Sequence, residues 1–344
     1  MKKTMIFVIV GLLVFAGAAF ADSNYAELNQ YGNYGSASQT QSDSAQYARI
    51  TQYGEGNGAS QAQSGNSWYG NQTQYTNNAQ IDQNGYYSSA TQYQNQNPYY
   101  YNYGYQNNAT IGQYGWYDSA SQYQDGVGNY AYIYQAGSSN NAGQTQYGQF
   151  NTANIYQYTD SNSASQYQSG NYNNATINQG NYNWYYYTSG NSANQQQYGD
   201  SNNASIQQNG WGSNNSANQY QNGYANNASI EQWYDGSNGA SQSQSGSYNS
   251  AGIGQYGYGS SASESQSGYG NNASISQSGY YDSASTSQSG DYNNASIYQS
   301  AYASGAYIAQ SGSSNYANIN QYNNYNTANL NQSGYANSAS INQY

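Results

Sequence analysis

Along most of the chain the residues that recur stand at every second position. The unit Ala-x-[Ile/Gln]-x-Gln occurs 27 times, from Ala26 to the closing segment Ala339-Ser-Ile-Asn-Gln343, usually 11 residues apart. The residue two before the Ala is Asn in 20 of the 27, and the residue two after the Gln is Gly in 19 of the 26 cases where the chain continues. A period of two is the signature of a strand, because successive side chains point to opposite faces. Asn, Ala, Ile or Gln, and Gln therefore share one face, and the Ser, Thr, Asn and Tyr between them share the other. Gly and the small polar residues after the last Gln supply turn chemistry. Seven strand residues and a four-residue turn account for the spacing.

A longer period lies beneath this one. The middle position of alternate units is aliphatic: Leu28, Ile50, Ile81, Ile111, Ile133, Ile155, Ile177, Ile206, Ile230, Ile253, Ile275, Ile297, Ile319 and Ile341. In the interleaved units it is mostly Gln, from Gln39 to Gln242, then Glu264, Thr286, Ile308 and Leu330. The true repeat is then about 22 residues, strand–turn–strand–turn. The fold this predicts is all-β: a two-sheet β-solenoid of about 14 stacked turns, a rod of roughly 65 Å at the ~4.8 Å strand spacing. Stacking places Ile on Ile in one sheet and mostly Gln on Gln in the other. The unit-closing glutamines, among them Gln52, Gln83, Gln113, Gln299 and Gln343, can form amide ladders, because each carries both donors and acceptors.

Three insertions interrupt the period, near 64–78, 95–108 and 180–192. They carry Trp68-Tyr69, Pro98 with Tyr99-Tyr100-Tyr101, and Trp184 with Tyr185-Tyr186-Tyr187, and read as lateral aromatic loops. The only Pro stands where a missing ladder N–H does no harm. The array begins and ends on an Ile-type strand, and its last units are the most aliphatic. Terminal repeats of soluble solenoids are usually polar and atypical. An uncapped edge is therefore expected, with end-to-end polymerisation as its consequence.

Composition sharpens this. Lys2 and Lys3, the apolar run Ile6 to Phe20 and the Ala19-Phe20-Ala21 site read as a secretory signal peptide over 1–21, leaving a repeat domain over 22–344 and an extracellular destination. Residues 22–344 hold fourteen acidic residues and one basic residue, Arg49, a formal charge of −13. That charge argues against a nucleic-acid partner. With neither His nor Cys, the chain lacks imidazole acid–base chemistry, thiol nucleophiles, disulfides and the usual zinc ligands. No cofactor is implied, and an enzymatic role is not expected.

The carboxylates of Asp43, Glu55, Asp125, Asp160, Asp200, Asp235 and Asp291 read as turn residues that keep the chain soluble and slow premature stacking. Glu264 differs: it takes an inward middle position, between Gln242 and Thr286. Desolvation there should raise its pKa, so that stacking weakens when it ionises and relaxes in acid. Tyr, 49 in all, falls mostly on outward positions such as Tyr31, Tyr93, Tyr123, Tyr167 and Tyr220, where stacked turns bring it into rows suited to adhesion or filament bundling.

The doubled Asn-x-Ala-x-Ile-x-Gln-x-Gly unit resembles the curlin repeat of the bacterial extracellular amyloid curli. Asn293-Asn-Ala-Ser-Ile-Tyr-Gln299 and Asn337-Ser-Ala-Ser-Ile-Asn-Gln343 match it most closely, and the likeness runs from about Asn24 to Tyr344. The repeats are more numerous than in short curlins, no Gly-rich leader stands before Ala26, and Tyr is more abundant. The resemblance implies a self-assembling fibre subunit (a homopolymer) on the cell surface, with a related nucleator or minor subunit, outer-membrane secretion machinery, and surfaces or matrix polymers as partners, serving biofilm and adhesion. Two other readings stay open on the residues alone: a monomeric adhesin or ligand-binding solenoid, and a disordered, phase-separating chain.

Overall fold

A computed structural model describes residues 24–42, 46–65, 77–96, 106–180, 189–209, 214–233 and 236–344. These form 27 strands, numbered β1 to β27 in chain order, in two parallel sheets. Odd-numbered strands make a 14-stranded sheet and even-numbered strands a 13-stranded sheet, so the chain winds as a β-solenoid of thirteen full turns and one further strand. The signal-peptide reading over 1–21, the aromatic insertion residues Trp68, Pro98 and Trp184, and Asp43 and Asp235 lie outside the described residues.

Register is set by burial. In every neighbouring pair Ala stands beside Ala and Gln beside Gln, as in Ala153↔Ala175 and Gln157↔Gln179. A slip of one residue would turn the whole inward set to solvent. The insertions do not disturb this: Ile50 pairs with Ile81, Ile81 with Ile111 and Ile177 with Ile206, although the intervening segments are longer than 22 residues. The core is a thin seam of Ile from one sheet meeting Ala from the other, and Ile50 through Ile319 are essentially fully buried.

Two expectations are corrected. Strands are not uniformly of seven residues. From β8 (Ser119–Val127) onward the even-numbered strands have nine, and from β7 (Asn108–Gln113) onward the odd-numbered strands have six. At the N-terminal end the lengths are reversed. There β1 (Tyr25–Asn33) and β3 (Tyr47–Glu55) have nine, and β2 (Ser36–Gln41) has six. The Gly two places after the closing Gln is also not a turn residue in the nine-residue strands. Gly126 lies inside β8 at φ +138°, where an added Cβ would stand 1.8 Å from the carbonyl oxygen of Gly148 in the next layer. The true corner sits further on, at the residue before the inward Asn. It adopts a left-handed φ even when it is Tyr172 (58°), Ser201 (60°) or Ala225 (53°).

The two sheets are offset by half a layer. Gln63 of β4 (Gly58–Gly65) donates from Nε2 to the carbonyl of Tyr47 in β3 at 2.9 Å and to that of Asn77 at 3.0 Å. Asn77 immediately precedes β5 (Asn78–Asn84), the next strand of the opposite sheet. A strand of one sheet thus sits level with the gap between two strands of the other.

Candidate functional site

The chemistry of this molecule is distributed along ladders. In the 14-stranded sheet, each closing Gln donates from Nε2 to Oε1 of the Gln in the following layer. The row runs unbroken from Gln30 through Gln52, Gln83 and Gln113 to Gln299, Gln321 and Gln343, with each bond between 2.6 and 3.0 Å. A second unbroken row links Gln41 to Gln332 in the other sheet. The same amides also reach backbone carbonyls across the core, as Gln157 does to Asn141 at 3.1 Å. Burial of so many amides is therefore matched by hydrogen bonds, and buried polar groups that are paired carry no desolvation penalty of their own. All these bonds donate toward the C-terminal end, which gives the rod a chemical direction.

The third row is interrupted. It runs from Gln39 to Gln242, and Gln242 Nε2 donates to Glu264 Oε2 at 2.9 Å. Glu264 lies in β20 (Ser261–Tyr269), between Gln242 and Thr286, as its place in the repeat requires. It is 1 % exposed, and Glu264 Oε1 and Thr286 Oγ1 have no hydrogen-bond partner. Burial pushes its carboxyl up to about 8, against the opposing pull of Gln242 and of backbone groups at Gly252 and Ile275.

Two further buried carboxyls occupy the Asn column at the corners. In regular layers this side chain closes a ladder: in the row that precedes the even-numbered strands, Asn162 donates to Asn140 Oδ1 and Asn238 to the carbonyl of Gly257. Asp118 and Asp282 stand in that column, each accepting a backbone N–H through Oδ1, from Asn140 and Ser304, while each Oδ2 is left without a partner. Burial pushes Asp118 up to about 7 and raises Asp282. The sequence reading placed acids at turns and singled out only Glu264. Aligning the residue two before each Ala would have exposed these two as the acids of that column.

Tyrosines form outward rows. Tyr93, Tyr123, Tyr147, Tyr167, Tyr198 and Tyr220 follow one another across six layers, with ring centroids 5.1 to 5.8 Å apart. Tyr93 and Tyr123 stack face to face, and the later pairs are tilted by 39 to 50°. Arg49 forms a two-pronged pair with Asp82 in the neighbouring layer, 2.8 Å at its closer contact.

Among the described residues no cluster of three metal-ligating side chains occurs, and no helix is long and apolar enough to cross a membrane. The remaining reactive features are the edge strands: β1 and β2 at one end, β26 (Thr327–Tyr335) and β27 (Ser338–Gln343) at the other. Among the described residues, no strand pairs with their outer backbone groups. Comparison with protein-family models and with curated proteins finds no match to this chain.

Proposed function

We propose that this protein is a structural subunit of an extracellular, curli-type amyloid fibre that grows by end-to-end stacking of solenoids. The observation that carries this reading is the pair of uninterrupted glutamine ladders, which reach both ends of the rod with their bonds pointing the same way. A second copy laid on either end extends each ladder by one more bond of the same kind, together with main-chain pairing. The role is structural rather than catalytic. Export through a signal peptide and outer-membrane machinery, a nucleating minor subunit, and service in biofilm matrix and adhesion follow from the likeness of the repeat to curlins. The outward tyrosine rows supply the contact surface for bundling and for matrix polymers.

X-ray diffraction from aligned, concentrated protein lacking residues 1–21 tests the reading. A meridional reflection near ~4.7 Å that strengthens as filaments lengthen supports it. Protein that stays monomeric after seeding at high concentration overturns it in favour of a monomeric adhesin, and a featureless pattern favours a disordered chain.

A further inference from the structure

Stacking of identical rods raises a question of parity. With 27 strands among the described residues and sheets offset by half a layer, a copy translated straight along the axis meets its neighbour in one sheet only. Strand β1 of the second copy would lie on β27 of the first, but β2 would face β26 across a gap one strand deep. Turning the second copy by half a revolution closes that gap. Its β1 then continues the 13-stranded sheet on β26, and its β2 continues the 14-stranded sheet on β27.

The end strands are matched for this second arrangement. Strand β26 has nine residues and β1 has nine; β27 has six and β2 has six. This match exists because the long and short strands trade sheets near the N-terminus, where β1 and β3 carry Gly32 and Gly54 at positive φ, as the long strands of the other sheet do. Aligned on their Ala, Thr327-Ala-Asn-Leu-Asn-Gln-Ser-Gly-Tyr335 meets Tyr25-Ala-Glu-Leu-Asn-Gln-Tyr-Gly-Asn33. Ala328 falls on Ala26, Gln332 on Gln30 and Gly334 on Gly32. Leu330 falls on Leu28, and these are the only two leucines beyond residue 21. The 13-stranded sheet, polar in its middle column up to Thr286, has become aliphatic at Ile308 and Leu330 by the time it reaches this edge. Gln343 falls on Gln41, so both ladders continue with the donor on the C-terminal side. The unlike inward pairs are Ile341 on Gln39 and, at the corner, Asn337 on Gly35.

We infer that consecutive subunits join head to tail with a half-turn between them, exchanging sheets at every junction, so that β26 pairs with β1 and β27 with β2 of the next copy. This rests on the fibre reading and specifies its junction. Both arrangements give polar filaments. The half-turn pairs two strands at each junction and leaves no unpaired edge between subunits, whereas pure translation pairs one strand and buries two unsatisfied edges. Subunits then repeat every 13.5 layers, roughly 65 Å at the ~4.8 Å strand spacing, with each copy facing opposite to the last.

The chain has no Cys, so engineered pairs report without background. Neighbouring outward residues on adjacent strands lie within disulfide reach of ~5–6 Å between Cα atoms. The variant Asn29→Cys with Asn331→Cys places its thiols side by side only across a half-turn junction. Thr40→Cys with Asn342→Cys does the same in the other sheet. Asn29→Cys with Asn342→Cys meets only across a translated junction. Within one molecule every one of these pairs lies about a dozen layers apart, so any disulfide is intermolecular. Filaments oxidised with copper phenanthroline and run on a non-reducing gel should give a covalent ladder for the first two variants and monomer for the third. A ladder from the third variant with none from the first, or filaments in which no pair links, overturns the half-turn junction and leaves the fibre intact. Failure of the parent chain and all three variants to form filaments overturns the fibre reading itself.

Discussion

Gln242 donates from Nε2 to Glu264 Oε2 at 2.9 Å, and with that bond the middle ladder of the 13-stranded sheet ends. Thr286 in the next layer receives nothing, and Glu264 Oε1 is left bare. Every glutamine below Glu264 in the column donates to a carbonyl of the opposite sheet, as Gln144 does to Tyr132 at 3.0 Å. A carboxylate cannot donate, but a neutral acid can. The folded protein therefore prefers Glu264 protonated, and burial holds its pKa near 8 against an ordinary 4.5. The groups that face it, Gln242, Thr286, Gly252 and Ile275, carry no charge.

The pH dependence follows from that preference. Between pH 4.5 and 8 the folded state holds a proton that the unfolded chain has lost, so stability falls as pH rises and the penalty is complete above pH 8. Glu264→Gln should raise stability at pH 8 by at most about 4 kcal/mol and change little at pH 4. Denaturation followed at both pH values checks this. Filament growth at neutral pH should also be faster than in the parent, and equal growth would count against the idea.

Asp118 gives an independent version of the same experiment. It interrupts the corner column, with Ser88 and Asn140 as its neighbours, and its Oδ2 takes the place held further along that row by Asn238 Nδ2, which donates to the carbonyl of Gly257. Its pKa near 7, above the ordinary 3.8, makes its ionised form destabilising from about pH 4 upward, with the full penalty above pH 7. Asp118→Asn supplies the missing donor. Stabilisation of about 1–3 kcal/mol at pH 8, shrinking toward zero at pH 4, is the expected result. Combining it with Glu264→Gln should add the two effects, because the sites lie many layers apart.

Sheet number, register and the inward ladder were legible because one alternation repeats 27 times and each face can be read off modulo two. What the alternation hides is anything that shares its composition. Gly126 and Gly148 look like turn residues, yet they lie inside strands, because only a residue without Cβ lets the carbonyl of the next layer approach. Corner residues such as Tyr172 and Ala225 carry no mark of their left-handed φ, since tight stacking rather than local propensity imposes it. Asp118 and Asp282 were legible in principle and obscured in practice, because acids on a polar chain look like surface residues until they are placed in the Asn column. The exchange of long and short strands near β3 has no signature in the unit itself, and it is this exchange that makes the two ends fit.

The glutamine ladder and the isoleucine seam should fail differently. Ile155→Val removes one buried methylene in a tightly packed seam and should cost about 1 kcal/mol. Gln146→Leu keeps a similar volume but leaves Gln124 Nε2 without its side-chain acceptor and the carbonyl of Tyr130 without its donor. A larger loss, about 1–3 kcal/mol, is expected from the orphaned groups. Urea midpoints of the two variants against the parent order them; Gln146→Leu milder than Ile155→Val would mean that the ladder contributes less than packing.

Backbone handedness supplies a pair of substitutions with opposite signs. Gly246 has φ +102°, and a Cβ there would lie 2.1 Å from the carbonyl oxygen of Gly268. Neither backbone can yield without breaking its own hydrogen bonds, so Gly246→Ala should destabilise by more than about 2 kcal/mol. Gly239 is the matched control, with nothing within 4 Å of its added Cβ, and Gly239→Ala should be nearly neutral. At Ala225 the situation is reversed: an L-residue already holds φ +53°, at a cost of about 1–2 kcal/mol relative to the right-handed region. Ala225→Gly relieves that strain but loosens the unfolded chain, so a net gain of about 0.5–1 kcal/mol is expected. Thermal unfolding of the three variants decides it. If Gly239→Ala proved as damaging as Gly246→Ala, close approach of adjacent layers would not be the reason for the glycine row.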